Sequence, residues 1–180
     1  MKRIRILGLA LVMLLTAVGC AAKVPPPVDG EVAFEEAKGA FVDGLSASGC
    51  HSVLKKDSIT VFRSVEDVKN AYKQAKDGTA STTRSREEVF DEVLETLTPS
   101  FFEEKAVLIV PMKRNDTATQ CRLQSLRIED GVLVATVQKT TDAAGGGLKV
   151  IRWTSETYCV DAAAIAGVTE TRIEETWEAA

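Results

Sequence analysis

Histidine is almost absent. His51 is the one imidazole in 180 residues, which excludes sites built from two or three of them, most catalytic zinc centres included. Positive charge is not in excess: 22 Lys and Arg stand against 26 Asp and Glu, for a net charge of -4. Such a balance cannot neutralise a phosphate backbone, so nucleic acid is excluded as a partner class. No C-x-x-C occurs for dithiol chemistry. No G-x-S-x-G surrounds a serine, and no D-x-D-x-D-G spacing offers a calcium loop. Gly145 to Gly147 are followed neither by Lys-Ser/Thr nor by a helix start, so they are no phosphate loop. No cofactor and no metal is expected. What is plentiful is apolar: 45% hydrophobic residues beside 27% charged ones, too greasy for a disordered chain and the right length for one domain.

The apolar content begins at once. Lys2, Arg3 and Arg5 precede an uncharged run from Ile6 to Gly19. At 14 residues that run is short of the ~20 needed to span a bilayer, and it has the layout of a secretory signal. It closes on T-A-V-G-C, which resembles the bacterial lipobox: residues 1–19 are read as a lipoprotein signal peptide, cut between Gly19 and Cys20. Cys20 then carries the acyl chains, and several chains at ~0.8 kcal/mol per buried methylene anchor durably. Ala21 is not the aspartate that retains enterobacterial lipoproteins in the inner membrane, so outer-membrane sorting in the cell envelope is expected. The leader takes three of the 22 basic residues and no acidic one, leaving 19 against 26, about -7. Residues 20–30, C-A-A-K-V-P-P-P-V-D-G, read as a polyproline tether, and residues 31–180 as a single domain.

Within that domain, the stretch from Val32 to Leu45 is ambiguous. Val32, Phe34, Phe41, Val42 and Leu45 nearly trace a helical face, but Gly39 and Gly44 oppose a long helix, and a short strand near Val32 to Glu35 competes. Ser58 to Arg63 is β-branched and aromatic, hence a strand. Ser64 with Asp67, and Ser85 with Glu88, have capping-box spacing ahead of two helical periods, the second ended by Pro99. Lys105 to Pro111 is an uninterrupted apolar run typical of a central strand. Cys121 to Ile128 and Val132 to Lys139 flank E-D-G, a hairpin. Val150 to Val160 and Val168 to Ile173 supply two more strands, with Gly145 to Gly147 in a hairpin loop. The expected class is α+β: a mostly antiparallel sheet of four or five strands with two helices on one face.

Chemistry is harder to find. Cys50 and His51 are adjacent, and neighbours on an extended chain point to opposite sides. Glu35–Glu36, Glu87–Glu88, Glu103–Glu104 and Glu174–Glu175 read as solvated faces, with Glu87 and Glu88 favourable at a helix N-terminus. Trp153 and Tyr158 fit a packed sheet face, and Trp177 an exposed contact. In an exported protein Cys50, Cys121 and Cys159 allow one disulfide, with three possible pairings. Cys121–Cys159 is favoured because each sits at a strand terminus. No catalytic residue is assigned.

The order of several strings, V-A-F-E-E-A-K-G, I-T-V-F-R-S-V-E-D-V, S-F-F-E-E-K-A-V-L-I-V and L-R-I-E-D-G-V-L-V-A-T-V, is similar to the PrcB-like family of bacterial lipoproteins, over roughly Val32 to Ile173. The chain departs from it in lacking a G-G-Y motif, having D-T-A-T-Q-C-R-L instead, and in an insertion from Ser46 to Asp57. The resemblance implies a strand near Val32 and an accessory role, a lipoprotein subunit that stabilises or matures a surface protease complex, with no catalytic residues. The expectation is a non-enzymatic, lipid-anchored envelope protein that binds a protein partner. The alternative is a small-ligand-binding lipoprotein with its pocket between helices and sheet.

Overall fold

A computed structural model describes residues 26–50, 55–75, 84–141 and 151–178. Its organising element is β4, Lys105–Arg114, which is buried on both faces. Ala106, Leu108, Val110 and Met112 face one apolar core, while Val107 and Ile109 face another. A strand with two buried faces needs cover on both, and this decides the architecture. On one side lie α1 (Ala40–Ala47), α2 (Val65–Gln74), α3 (Arg86–Thr96) and α4 (Pro99–Glu104). On the other lies a second sheet.

Among the described residues the two sheets have four strands each. The first orders β2 (Phe34–Glu36), β7 (Arg152–Asp161), β4 and β3 (Thr60–Phe62), all antiparallel. The second orders β1 (Gly30–Glu31), β5 (Thr119–Glu129), β6 (Val132–Thr141) and β8 (Glu170–Glu178). Here β8 runs parallel to β6 and the other pairings are antiparallel. The α+β class is as the sequence suggests. The single sheet of four or five strands is corrected to two sheets in a helix–sheet–sheet stack.

Local signals explain the elements. Ser64 Oγ accepts from the Asp67 N–H at 3.1 Å, but Asp67 returns its carboxylate to the Arg63 N–H at 2.8 Å, one residue earlier than a capping box requires. Ser85 and Glu88 complete the box, at 3.1 and 2.9 Å. Pro99 does more than end α3. It takes the first position of α4, where a missing N–H costs nothing, with Thr98 as N-cap. The ambiguous opening contains both readings, strands β1 and β2 and then helix α1, whose Gly44 lies against Val93 of α3. Asp130 and Gly131, at φ 51° and 78°, make the two-residue turn between β5 and β6. A bulge between Leu123 and Ser125 inserts Gln124 into β5. The Gly145–Gly147 loop lies outside the described residues.

Candidate functional site: the polar end of the inter-sheet core

β4 rises to Arg114 and turns through Asp116, whose Oδ1 accepts from the N–H groups of Ala118 (3.0 Å) and Thr119 (2.6 Å) and from the Thr119 hydroxyl. β5 then descends to the Asp130–Gly131 turn and β6 climbs back. Arg114 pairs with Arg152, Thr119 with Thr141, and Thr140 with Glu178, so these residues share one pole and Gly131 marks the other.

Side chains alternate between faces along each strand. On β6 the inward row reads Leu133, Ala135, Val137 and then Lys139. On β4 it reads Leu108, Val110, Met112 and then Arg114. On β7, Val160 and Tyr158 give way to Glu156 and, further on, Arg152. Cys121 of β5 and Trp177 of β8 are the register partners of Lys139, and Glu175 is in the same row as Trp177. The apolar core thus closes in a cap of charges contributed by four strands, β4, β6, β7 and β8.

Lys139 is the core's largest enclosed side chain, at 0% exposure. Its ammonium meets Glu175 Oε2 at 2.6 Å and lies 5.6 Å from the Trp177 ring centroid. Among the described residues the ammonium has this ion pair and no acceptor in hydrogen-bond alignment. Arg114 Nε is likewise enclosed, with no acceptor among the described residues. Nearby, the Tyr158 hydroxyl donates to Glu156. Burial first, then the Glu156 contact, pushes the Tyr158 phenol up. Burial also raises the Cys121 thiol, against the opposing pull of Lys139 and Arg114. A nucleophilic cysteine needs its thiolate, which this environment disfavours. What the cap shows is a buried ion pair, Lys139 with Glu175, beside the exposed Trp177.

The other sequence candidates fall elsewhere. Gly19, Cys20 and His51 lie outside the described residues. Cys50, Cys121 and Cys159 are free thiols. Cys121 lies between the sheets, whereas Cys159 packs with the helical layer, on the opposite side of β7 from Tyr158. The expected Cys121–Cys159 bridge is therefore not formed: a sheet separates its two halves. Cys50 is enclosed beside the Ser48 hydroxyl at 3.3 Å, its thiol raised by burial. Glu174 and Glu175 are not one solvated pair. Glu174 binds Arg127 and Arg172 on the outer face, while Glu175 turns inward to Lys139. Tyr158 packs in the core against Phe34; Trp153 is 37% exposed under Lys56, and Trp177 is 55% exposed. Among the described residues no three acidic, Cys or His side chains are grouped as a metal would need, and no helix is long and apolar enough to cross a membrane.

A groove of about 520 Å³ runs between the edge strands β3 and β8, lined by Ser58, Thr60, Arg63 and Thr171 among others. It lies between the edges of the two sheets, whereas the sequence suggests a pocket between helices and sheet. Thr171 Oγ1 donates to Ile59 O at 3.1 Å and Arg63 Nη2 to Val168 O at 2.8 Å across it. Compared with protein-family models, curated proteins and solved structures, the chain matches none.

Proposed function

We propose that this chain is a lipid-anchored, non-enzymatic cell-envelope protein, an accessory subunit that stabilises an exported protein partner such as a surface protease. The observation that carries the reading is the leader itself: a basic start, a 14-residue apolar run and T-A-V-G-C, followed by a proline spacer. The polarity of the domain supports it. Pro27 lies beside Gly131, so the tether joins the body at the turn pole. Lys139 is eight residues up β6, roughly 26 Å away at strand rise. Trp177, Trp153 and Ile151, three of the large apolar side chains left exposed, sit toward that far pole. An anchor at one end and a contact surface at the other suit a module that binds by mass action, with tethering raising the local concentration.

Two measurements test this. Cys20→Ser should move the protein from the membrane to the soluble fraction, and unchanged membrane association would overturn the anchor. A photo-crosslinker placed at Trp177 should capture a discrete polypeptide in the native envelope, while one at Asp130 should not. Equal yields, or none from either, would overturn the partner surface. The groove between β3 and β8 favours the second reading, a small-ligand-binding lipoprotein. A polar solute protected by this domain and released by Arg63→Ala would establish it.

A further inference from the structure

We propose that this protein forms a two-fold dimer by pairing the outer edge of β8 with the same edge of a second copy, antiparallel and centred on Glu175. The inference depends neither on the anchor nor on a foreign partner. It begins at the β5–β6 hairpin. The two-residue turn makes Glu129 and Val132 a hydrogen-bonded pair, so even-numbered residues of β6 direct their N–H and C=O groups to β5 and odd-numbered ones to β8. The parallel register sets Leu133 beside Thr171 and Val137 beside Glu175, and there these groups bond the even-numbered residues of β8. The backbone groups of Thr171, Ile173, Glu175 and Trp177 therefore point to the outer edge. Among the described residues no strand and no backbone group meets them. Such an edge is a template for another strand.

The sequence of β8 selects the occupant, because it complements itself. With the axis at Glu175, Ile173 meets Trp177, Glu174 meets Thr176 and Arg172 meets Glu178, each twice. Arg172 and Glu178 share the outer face and have opposite charge; Ile173 and Trp177 share the inner face and are apolar. Arg172 reaches Glu129 and Glu174 through Nη2, and its side chain stays 51% exposed. Trp177, exposed in the single chain, is covered. The axis sets Glu175 against its counterpart, but each brings its own Lys139, so two ion pairs meet rather than two bare charges. An axis at Glu174 would set Glu170 against Glu178 and Glu174 against itself, and one at Thr176 would set Glu174 against Glu178. An axis at Ile173 would need the edge near Thr171, which already donates to Ile59 O.

The test is sedimentation of the full mature chain carrying Cys20→Ser, in solution with no other protein present, so its failure leaves the proposed partner untouched. Reversible association to twice the chain mass is expected, in the micromolar range that a small interface supports. Arg172→Glu sets like charges opposite each other at both ends of the ladder and should weaken association at least tenfold. Adding Glu178→Arg should restore it to within threefold. Within one chain those residues lie roughly 20 Å apart at strand rise, so the rescue requires a second copy. Should Arg172→Glu not fold by circular dichroism, Trp177→Pro carries the same expectation of weakening, since the N–H it removes points to the outer edge and not to β6. A mass that stays at one chain up to ~0.5 mM overturns the pairing and leaves the edge to a strand of another protein. Equal association by parent and folded variants, or a double variant as weak as Arg172→Glu, overturns it as well.

Discussion

Gly44 offers the sharpest check on the packing. It lies mid-way along α1, where replacing glycine with alanine ordinarily gains about 1 kcal/mol of helix stability. A Cβ at this position, however, would come inside 3.0 Å of Val93 Cγ2. Val93 is fully enclosed, and a valine in a helix has one strongly preferred rotamer, so the methyl cannot swing away. Overpacking of this kind costs ~1–3 kcal/mol, and the rigid neighbour puts it near the top of that range. Gly44→Ala should therefore destabilise the domain by about 2 kcal/mol after the helical gain is subtracted. In a Val93→Ala background the obstructing methyl is gone. There the same change should stabilise by roughly 0.5–1 kcal/mol, giving a coupling near 3 kcal/mol. Urea unfolding followed by far-UV circular dichroism reads all four corners of the cycle, as midpoints at constant slope. A Gly44→Ala protein more stable than its parent would refute the close approach of α1 and α3.

Three further outcomes follow from particular contacts. Glu175→Ala strands the enclosed Lys139 ammonium and should cost about 3 kcal/mol, whereas Lys139→Met leaves only the half-exposed Glu175 and should stay within about 1 kcal/mol of the parent or exceed it. The reverse order in urea midpoints would refute the buried-cation reading. Arg127 holds the Glu174 carboxyl below its ordinary value of 4.5, so the pair's contribution is complete above that value and is lost as pH falls through the lowered one. The gap in unfolding midpoint between parent and Glu174→Gln should be flat at neutral pH and close in acid. Constancy into strong acid would contradict the pair. Cys50, Cys121 and Cys159 should be silent to a thiol reagent in the folded protein and react together on unfolding. An intact mass two hydrogens short, with Cys121 and Cys159 joined in one peptide after digestion, would contradict their separation by a sheet.

The local elements were legible because their causes are local. Ser85 and Glu88 satisfy each other across three residues, and E-D-G supplies the two positive-φ positions that a tight hairpin demands. The second sheet was not, since its cause is non-local. The run from Lys105 to Pro111 reads as a buried strand whether a helix or another sheet lies over it. Gly44 misled for a related reason. Glycine in a helical period weakens the helix unless another element needs the space, and α3 is 38 residues downstream at its start, counted from Ser48 to Arg86, whose guanidinium Nε donates to the Ser48 carbonyl. The charged cap left a fainter mark: Leu133, Ala135 and Val137 set an inward alternation that places Lys139 indoors. Lysine at a strand end suggests solvent, whereas this one meets Glu175 and the Trp177 ring of the parallel neighbour β8.

The two poles of the sandwich are finished differently, and this follows from how each is closed. At the turn pole the hairpin is as tight as a β-ribbon allows, and Ile128 and Leu133 seal the core with side chains that ask nothing of their surroundings. At the far pole β2 reaches only from Phe34 to Glu36 and β3 only from Thr60 to Phe62, so the ribbon of β4 and β7 extends past both. An apolar row carried to that end would face water across an unflanked ribbon. Charged residues solve the solubility problem, but solubility alone asks for exposed charges. Lys139 is enclosed instead, at a cost that a methionine of similar volume would avoid. The pairing with Glu175, from the last strand of the chain, is what lets that charge stay indoors, so the far pole depends on β8 holding its register in a way the turn pole does not.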